Sequence, residues 1–138
     1  MRLFHWTAHN DVFVEALDDE HRTIFEVTGE LQQALRRRAP LFEIQETLHR
    51  LVSNAEDHFA TEEKLMREAN YLSLNWHKGQ HDTARKRFRE YVPLIEKGDF
   101  EAGHALIDFL TQWLDDHTAV TDRMMAAHLR NHRRAGTR

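Results

Sequence analysis

The chain has 138 residues, a net charge of −4 and no cysteine. That length suits one domain with a core of its own, and the missing cysteines exclude disulfides, thiolate metal sites and iron–sulfur clusters. The mild charge points to no particular partner, but 11 histidines are more than packing requires in a chain of this size.

Residues 1–17 read as an N-terminal arm. Phe4, Trp6, Val12, Phe13 and Val14 make it too apolar for a free tail, so it is expected to pack across the rest of the fold. His5, His9, Asn10 and Asp11 interrupt it, and no apolar h-region is present, so no signal peptide is expected. No apolar run is long enough to span a bilayer. A soluble, cytoplasmic monomer is the expectation, with no membrane or nucleic-acid partner.

The first helix is expected to start at Asp18 as its N-cap, with Asp19 and Glu20 behind it. Its apolar stripe reads Leu17, His21, Ile24, Thr28, Leu31 and Leu35, and it ends near the Arg36–Pro40 run. A second helix covers roughly Phe42 to Ala69, with Ile44, Leu48, Leu51, Ala55, His58, Glu62 and Leu65 on its stripe. A third runs from about Leu74 toward Pro93, which should kink or end it. His77, His81, Ala84, Phe88 and Tyr91 lie on its stripe. A fourth spans about Phe100 to Leu129, beginning Leu106, Leu110, Trp113, His117. Its pattern then slips by one residue and resumes at Asp122, Met125 and Leu129. The basic stretch 130–138 reads as a solvated, frayed tail. Four amphipathic helices with short connections predict an all-α, up-down-up-down antiparallel four-helix bundle in a single domain, residues 1–138.

The chemistry is carried by polar residues on the wrong face. His21, His58, Glu62, His77, His81 and His117 all fall on apolar stripes, which a bundle buries. Buried ionisable groups are costly unless paired or bound to metal. Residues four apart share a helix face, so His58 can act with Glu62, and His77 with His81. One such histidine pair is expected by chance in a histidine-rich chain. Five histidines and a glutamate on the core faces of all four helices are a different matter: a purely structural network of that size leaves many donors and acceptors to satisfy. Imidazole and carboxylate suit iron, zinc, copper or manganese, and ligand chemistry alone does not choose among them.

Asp122 lies five residues after His117, about 140° around an ideal helix. The two would not face one centre in an unbroken α-helix. One extra residue in a turn, a π-bulge, would bring them together and also account for the slip in the apolar pattern.

The motifs Asp18-Asp19-Glu20-His21, His58-Phe59-Ala60-Thr61-Glu62-Glu63, His77-Lys78-Gly79-Gln80-His81 and Trp113-Leu114-Asp115-Asp116-His117, leading to Asp122, resemble the hemerythrins, especially the single-domain bacterial ones. The resemblance runs from Trp6 to about Met125. Myohemerythrin is itself a standard example of the bundle topology, so the two expectations are not independent. The resemblance implies a hemerythrin-like domain with a metal site of His21, His58, Glu62, His77, His81, His117 and Asp122. It makes His77, His81 and His117 the terminal ligands of one iron and His21 and His58 those of a second. Glu62 and Asp122 would bridge the two iron ions (Fe2+/Fe3+), together with an oxo or hydroxo group from solvent. The iron with two histidines would keep one open position, by the logic that separates open from closed metal sites. Dioxygen, azide or nitric oxide would bind there.

The implied function is reversible dioxygen binding by a non-haem di-iron protein, in transport, storage or delivery, rather than enzymatic turnover. A site with only two carboxylates leaves the oxidised pair less stabilised than the carboxylate-rich ferritin-like sites do. Alternatives are a di-iron enzyme acting on peroxide, nitric oxide or ferrous iron, and an oxygen or iron sensor. One departure stands out. Thr118 occupies a position that is usually apolar in the family, and a hydroxyl facing the pocket would admit water.

Overall fold

The computed structural model describes residues 4–136. Residues 1–3 of the arm and 137–138 of the basic tail lie outside that range. Four long helices form the bundle: α1 (Glu15–Arg36), α2 (Leu41–Glu68), α3 (Leu74–Glu96) and α4 (Phe100–Asp116). A π-helical segment (His117–Asp122) follows α4 without a break and leads into α5 (Arg123–Gly136). Each helix packs on the next, and α4 closes the ring on α1. Short connections make neighbours antiparallel. This is the predicted up-down-up-down bundle.

The three connections use one device. Arg38, Asn70 and Gly98 adopt left-handed backbone conformations (φ 53°, 55° and 94°). After each, an amide reaches back six residues along the chain, counting both ends: Ala39 to Ala34, Tyr71 to Met66 and Asp99 to Leu94. That bond satisfies a carbonyl orphaned at the helix end and reverses the chain in few residues. The next helix starts with Asp99 in one case, whose side chain accepts from the Ala102 amide.

Three boundaries differ from expectation. α1 begins at Glu15, not after Asp18, because Phe13 takes a left-handed conformation (φ 65°) and turns the arm into the helix early. Asp18 is then free to face back. Its carboxylate accepts the amides of Val12 (2.8 Å) and Phe13 (3.1 Å), tying the arm to α1. Pro93 does not end α3. It sits in the last turn and leaves the Arg89 carbonyl without its N–H partner, yet the helix continues far enough to bury Ile95 fully. The basic C-terminal stretch is helical through residue 136, and Arg130 donates to the Val12 carbonyl (2.7 Å).

The arm crosses the bundle as expected. Phe4 stacks on Phe25 at 4.6 Å, its amide bonds Gln32, and Trp6 lies under the Arg22 guanidinium. Gly29 permits this approach, since a Cβ there would meet the Phe4 carbonyl at 2.6 Å. A short 3₁₀ turn at Ala8–Asn10 follows.

Two apolar clusters fill the bundle. The larger contains Ile24, Phe25, Leu31, Leu48, Leu51, Leu106 and Leu110. The smaller gathers Val12, Leu17, Met66, Met125 and Leu129 at the other end. Between them lies a buried polar layer. Among the described residues no helix is long and apolar enough to cross a membrane.

Removing the Asp18 carboxylate leaves the buried Val12 amide without its acceptor. Asp18→Ala should therefore lower the unfolding free energy by about 2 kcal/mol. Urea denaturation checks this; a change near zero would mean that the arm is not anchored there.

Candidate metal centre

The polar layer is built from every helix of the bundle. α1 contributes His21, α2 His58 and Glu62, α3 His77 and His81, and the π segment His117 and Asp122. All seven are buried, and Glu62, His77 and His81 are completely so. The π turn falls where the register argument requires it, between His117 and Asp122, and brings both residues to the inner face. The seven form two overlapping groups. Within each group the candidate ligand atoms lie within 4.8 Å of one another: Glu62, His77, His81, His117 and Asp122 in one, His21, His58, Glu62 and Asp122 in the other.

The two carboxylates divide their oxygens between these groups. Glu62 Oε1 lies 3.3 Å from His77 Nε2 and 2.9 Å from His81 Nε2. Its Oε2 lies 3.3 Å from His21 Nε2 and 3.0 Å from His58 Nε2. Asp122 Oδ1 lies 3.1 Å from Nε2 of both His77 and His117, and Oδ2 lies 3.1 Å from His21 Nε2. These separations match neighbouring ligands on an octahedron with bonds of about 2.1 Å, whose edges are about 3 Å.

The orientation of the imidazoles decides whether these contacts are hydrogen bonds. Gln80 Oε1 faces His117 Nδ1 at 2.8 Å and accepts from the Thr121 hydroxyl at 2.8 Å. An amide oxygen only accepts, so His117 carries its proton on Nδ1. Glu20 holds His58 Nδ1 at 2.6 Å, and Glu63 holds His81 Nδ1 at 2.8 Å. With Nδ1 protonated, each of these rings in its neutral form turns a bare lone pair inward. Accordingly, Nε2 of His58 and His117 and both oxygens of Asp122 are buried without a hydrogen-bond partner. Lone pairs facing lone pairs at 3 Å call for a cation between them. The donor set therefore fits metal.

Electrostatics agree. Burial alone would lower the histidine pKa values. The Asp122 and Glu62 carboxylates override it at His21, which is raised to about 10. At His58 the same burial is outweighed by Glu62 and Glu20, giving about 9, and at His77 by Asp122 and Glu62, also giving about 9. At His117 burial prevails and the value is lowered. For Glu62, burial pushes up but the surrounding imidazoles hold the carboxyl well below its ordinary range. Asp122 is lowered too, against burial and its neighbour Glu62. The pocket favours positive charge at its centre, whether protons or metal.

Beside this layer lies a small apolar cavity of about 10 Å³, near the least volume that holds one water-sized molecule. His21, His58, His117 and Asp122 form its floor, and Phe25, Phe59, Leu110, Trp113 and Leu114 are among its walls. Phe59 stacks on His81 and Trp113 on His117, each at 4.3 Å, which holds those imidazoles in place.

Sequence reasoning missed the residues that orient the ligands. Glu20, Glu63 and Gln80 each stand next to a site residue in the chain, yet each serves a histidine on the following helix. Adjacent residues on a helix diverge by about 100°, so the neighbour of an inward-facing residue points across to the next helix. Adjacency to the motifs was the available signal. Arg85 bonds Glu63 at 3.0 Å and completes that chain of contacts. Thr118 has partners that the sequence does not show. It lines the cavity as expected, but its hydroxyl donates to the Leu114 carbonyl (2.8 Å) and accepts from Asn10 (2.9 Å), so its proton is not turned to the cavity. The remaining histidines stay outside the layer. His49 is exposed and bonds Glu96, and the half-buried His128 bonds the Ala69 carbonyl.

The chain matches the hemerythrin family, described as a hemerythrin HHE cation binding domain, over residues 12–129. It belongs to that family. It is 32% identical to a bacteriohemerythrin of Aquifex aeolicus over 115 residues, 82% of this chain and 87% of the relative. A bacteriohemerythrin of Stenotrophomonas maltophilia is 30% identical, with 96% of this chain and 85% of the relative covered. A myohemerythrin of Theromyzon tessulatum is 29% identical, covering 86% and 88%. A crystal structure of a hemerythrin leucine-to-alanine variant superposes with a TM-score of 0.72 at 26% identity, covering 94% of this chain and 98% of that one.

The raised histidines give a signed pH prediction for the metal-free protein. Their stabilising contribution is full below the unfolded value near 6.5 and is lost as pH rises through 9 to 10. The melting temperature of chelated protein should fall between about pH 8 and pH 10. Metal-loaded protein, with its imidazoles already neutral, should change much less. Parallel curves for the two forms would contradict this assignment.

Proposed function

We propose that this chain binds two iron ions and uses them to bind dioxygen reversibly. His77, His81 and His117 are the terminal ligands of one iron, and His21 and His58 those of the other. Glu62 and Asp122 bridge the pair, with a solvent-derived oxo or hydroxo group completing it. The observation that carries this reading is the division of carboxylate oxygens: each of Glu62 and Asp122 turns one oxygen to the three-histidine group and the other to the two-histidine group. A single-metal site gives no reason for that division.

A bound iron pair would supply an open coordination position and the electrons for reversible dioxygen binding. The chain's own residues decide what reaches it. His21 and His58 line the cavity, whereas His77 and His81 do not. His117 of the three-histidine group reaches it as well, but only the two-histidine group has all its histidines there, which supports an open position on that side. The aromatic and aliphatic walls disfavour water, and a volume of about 10 Å³, near the least that holds one water-sized molecule, restricts the chamber to the smallest ligands, for which its walls must yield slightly. Apart from candidate ligands, Thr118 is the only polar lining residue among those described, and its proton is committed to a backbone carbonyl. A cavity without a proton donor favours binding and release over turnover.

Reduced, iron-loaded protein should develop a visible absorption band when oxygen is admitted and lose it when oxygen is withdrawn. Direct passage to a stable oxidised form would rule out reversible carriage. Peroxide, nitric oxide and ferrous iron would then be the substrates to assay.

A further inference from the structure

The cavity borders the N-terminal arm, whose Asn10 bonds the cavity residue Thr118. A groove of about 410 Å³ lies on the outer side, with Thr7, Asn10, Gln32, Gln112 and Asp115 among its lining residues. Thr118 belongs to the inner cavity instead. One side chain joins the two. Asn10 Nδ2 donates to Asp115 Oδ1 at 3.0 Å on the groove side and to Thr118 Oγ1 at 2.9 Å on the cavity side. Its Oδ1 accepts the Thr7 amide at 3.2 Å, so both ends of the amide are held. Asn10 and Thr118 are each only 1% exposed, so this contact is a sealed wall. Phe4 forms a second contact of the same kind: it lines the groove and stacks on Phe25, which lines the cavity.

We propose that Asn10 is the latch on the route by which small ligands reach the metal centre: the groove is the outer mouth, the cavity is the inner chamber, and the Asn10–Thr118 hydrogen bond closes the passage between them. The inference rests on reading the cavity as the ligand chamber. Three features suit a latch. Asn10 sits on a short 3₁₀ turn of the arm and its side chain bonds no candidate metal ligand, while the turn is anchored on either side by Phe4 and by Asp18. Its two donor bonds break together when the Asn10 side chain swings out, which exchanges them for water in a groove that is already polar and open. Withdrawal also uncovers the Thr118 oxygen, leaving a gap at the cavity wall that is bordered by a polar atom. Asn10 is thus a positioning residue, acting on rates of passage and not on the affinity of the centre.

The test uses azide on oxidised, iron-loaded protein, with association and dissociation rates followed by stopped-flow absorbance. A latch governs both directions equally. Asn10→Ala should raise both rates by about tenfold and leave the Kd within about twofold. A residue that merely supports the fold would change melting temperature without moving the two rates in step. Asp115→Ala removes one acceptor, leaves Asn10 in place, and should accelerate both rates by a smaller factor; it serves if Asn10→Ala does not fold. Unchanged rates, or a change confined to dissociation, would overturn the proposal. A metal-free readout separates the latch from the iron reading. In a Trp6→Phe, Trp76→Phe background Trp113 on the cavity wall is the only tryptophan. Quenching of its fluorescence by dissolved dioxygen should increase about twofold when Asn10→Ala is added. No increase there would overturn the latch even if azide binds normally. Failure of azide to bind the unmutated, iron-loaded protein would count against the iron reading, and the quenching result would then decide the latch.

Discussion

Two carboxylates buried at the middle of a helical bundle, surrounded by five imidazoles, set the terms for everything else in this protein. Glu62 and Asp122 cannot be left among nitrogen lone pairs without a cation, because burial removes the water that would otherwise solvate them. Protons can fill that need in the metal-free chain, as the raised histidines indicate. Metal fills it better, since one ion satisfies several lone pairs at once. Stability of the fold and occupancy of the site are therefore linked, and the apolar clusters on either side of the layer hold a structure whose centre is incomplete without positive charge.

The bundle meets this demand by a simple geometric rule. Each helix turns one or two ligands inward and uses a neighbouring residue in the chain to orient a histidine on the next helix. Glu20 of α1 serves His58 of α2, Glu63 of α2 serves His81 of α3, and Gln80 of α3 serves His117 beyond α4. The partners are not equivalent: two are carboxylates and one is a neutral amide. Carboxylate partners make an imidazole a stronger donor than an amide does, so the ligand field is graded by residues outside the site itself. The π turn supplies the remaining requirement, placing Asp122 on the same face as His117 where an α-helix would turn it away.

Much of this was legible in the chain. Four stripes at helical spacing gave the bundle, and histidines within those stripes gave the layer. The five-residue spacing from His117 to Asp122, with the matching slip in the apolar pattern, gave the π turn. What could not be read depended on contacts between distant segments. Asp18 looks like a helix cap until Phe13 turns the arm back toward it. Pro93 looks like a terminator until Ile95 is seen to need burial. Asn10 has no meaning in the sequence without its partners Asp115 and Thr118, more than one hundred residues away. Glu20, Glu63 and Gln80 lie beside the motifs, but each acts across a helix interface that spacing along one helix does not reveal.

The asymmetry of the layer links structure to function: three histidines on one side, two on the other, and an apolar cavity lined by both histidines of the second group together with His117. Carboxylates that divide their oxygens between the sides are the arrangement that the proposed pair of metal ions would require. Diffraction from crystals of the iron-loaded protein, with anomalous data at the iron edge, tests this most directly. The account predicts two iron peaks about 3.5 Å apart, with Glu62 and Asp122 spanning both and His21 and His58 on the iron that faces the cavity. A single peak at the centre of the layer, with one oxygen of each carboxylate left unbound, would contradict it.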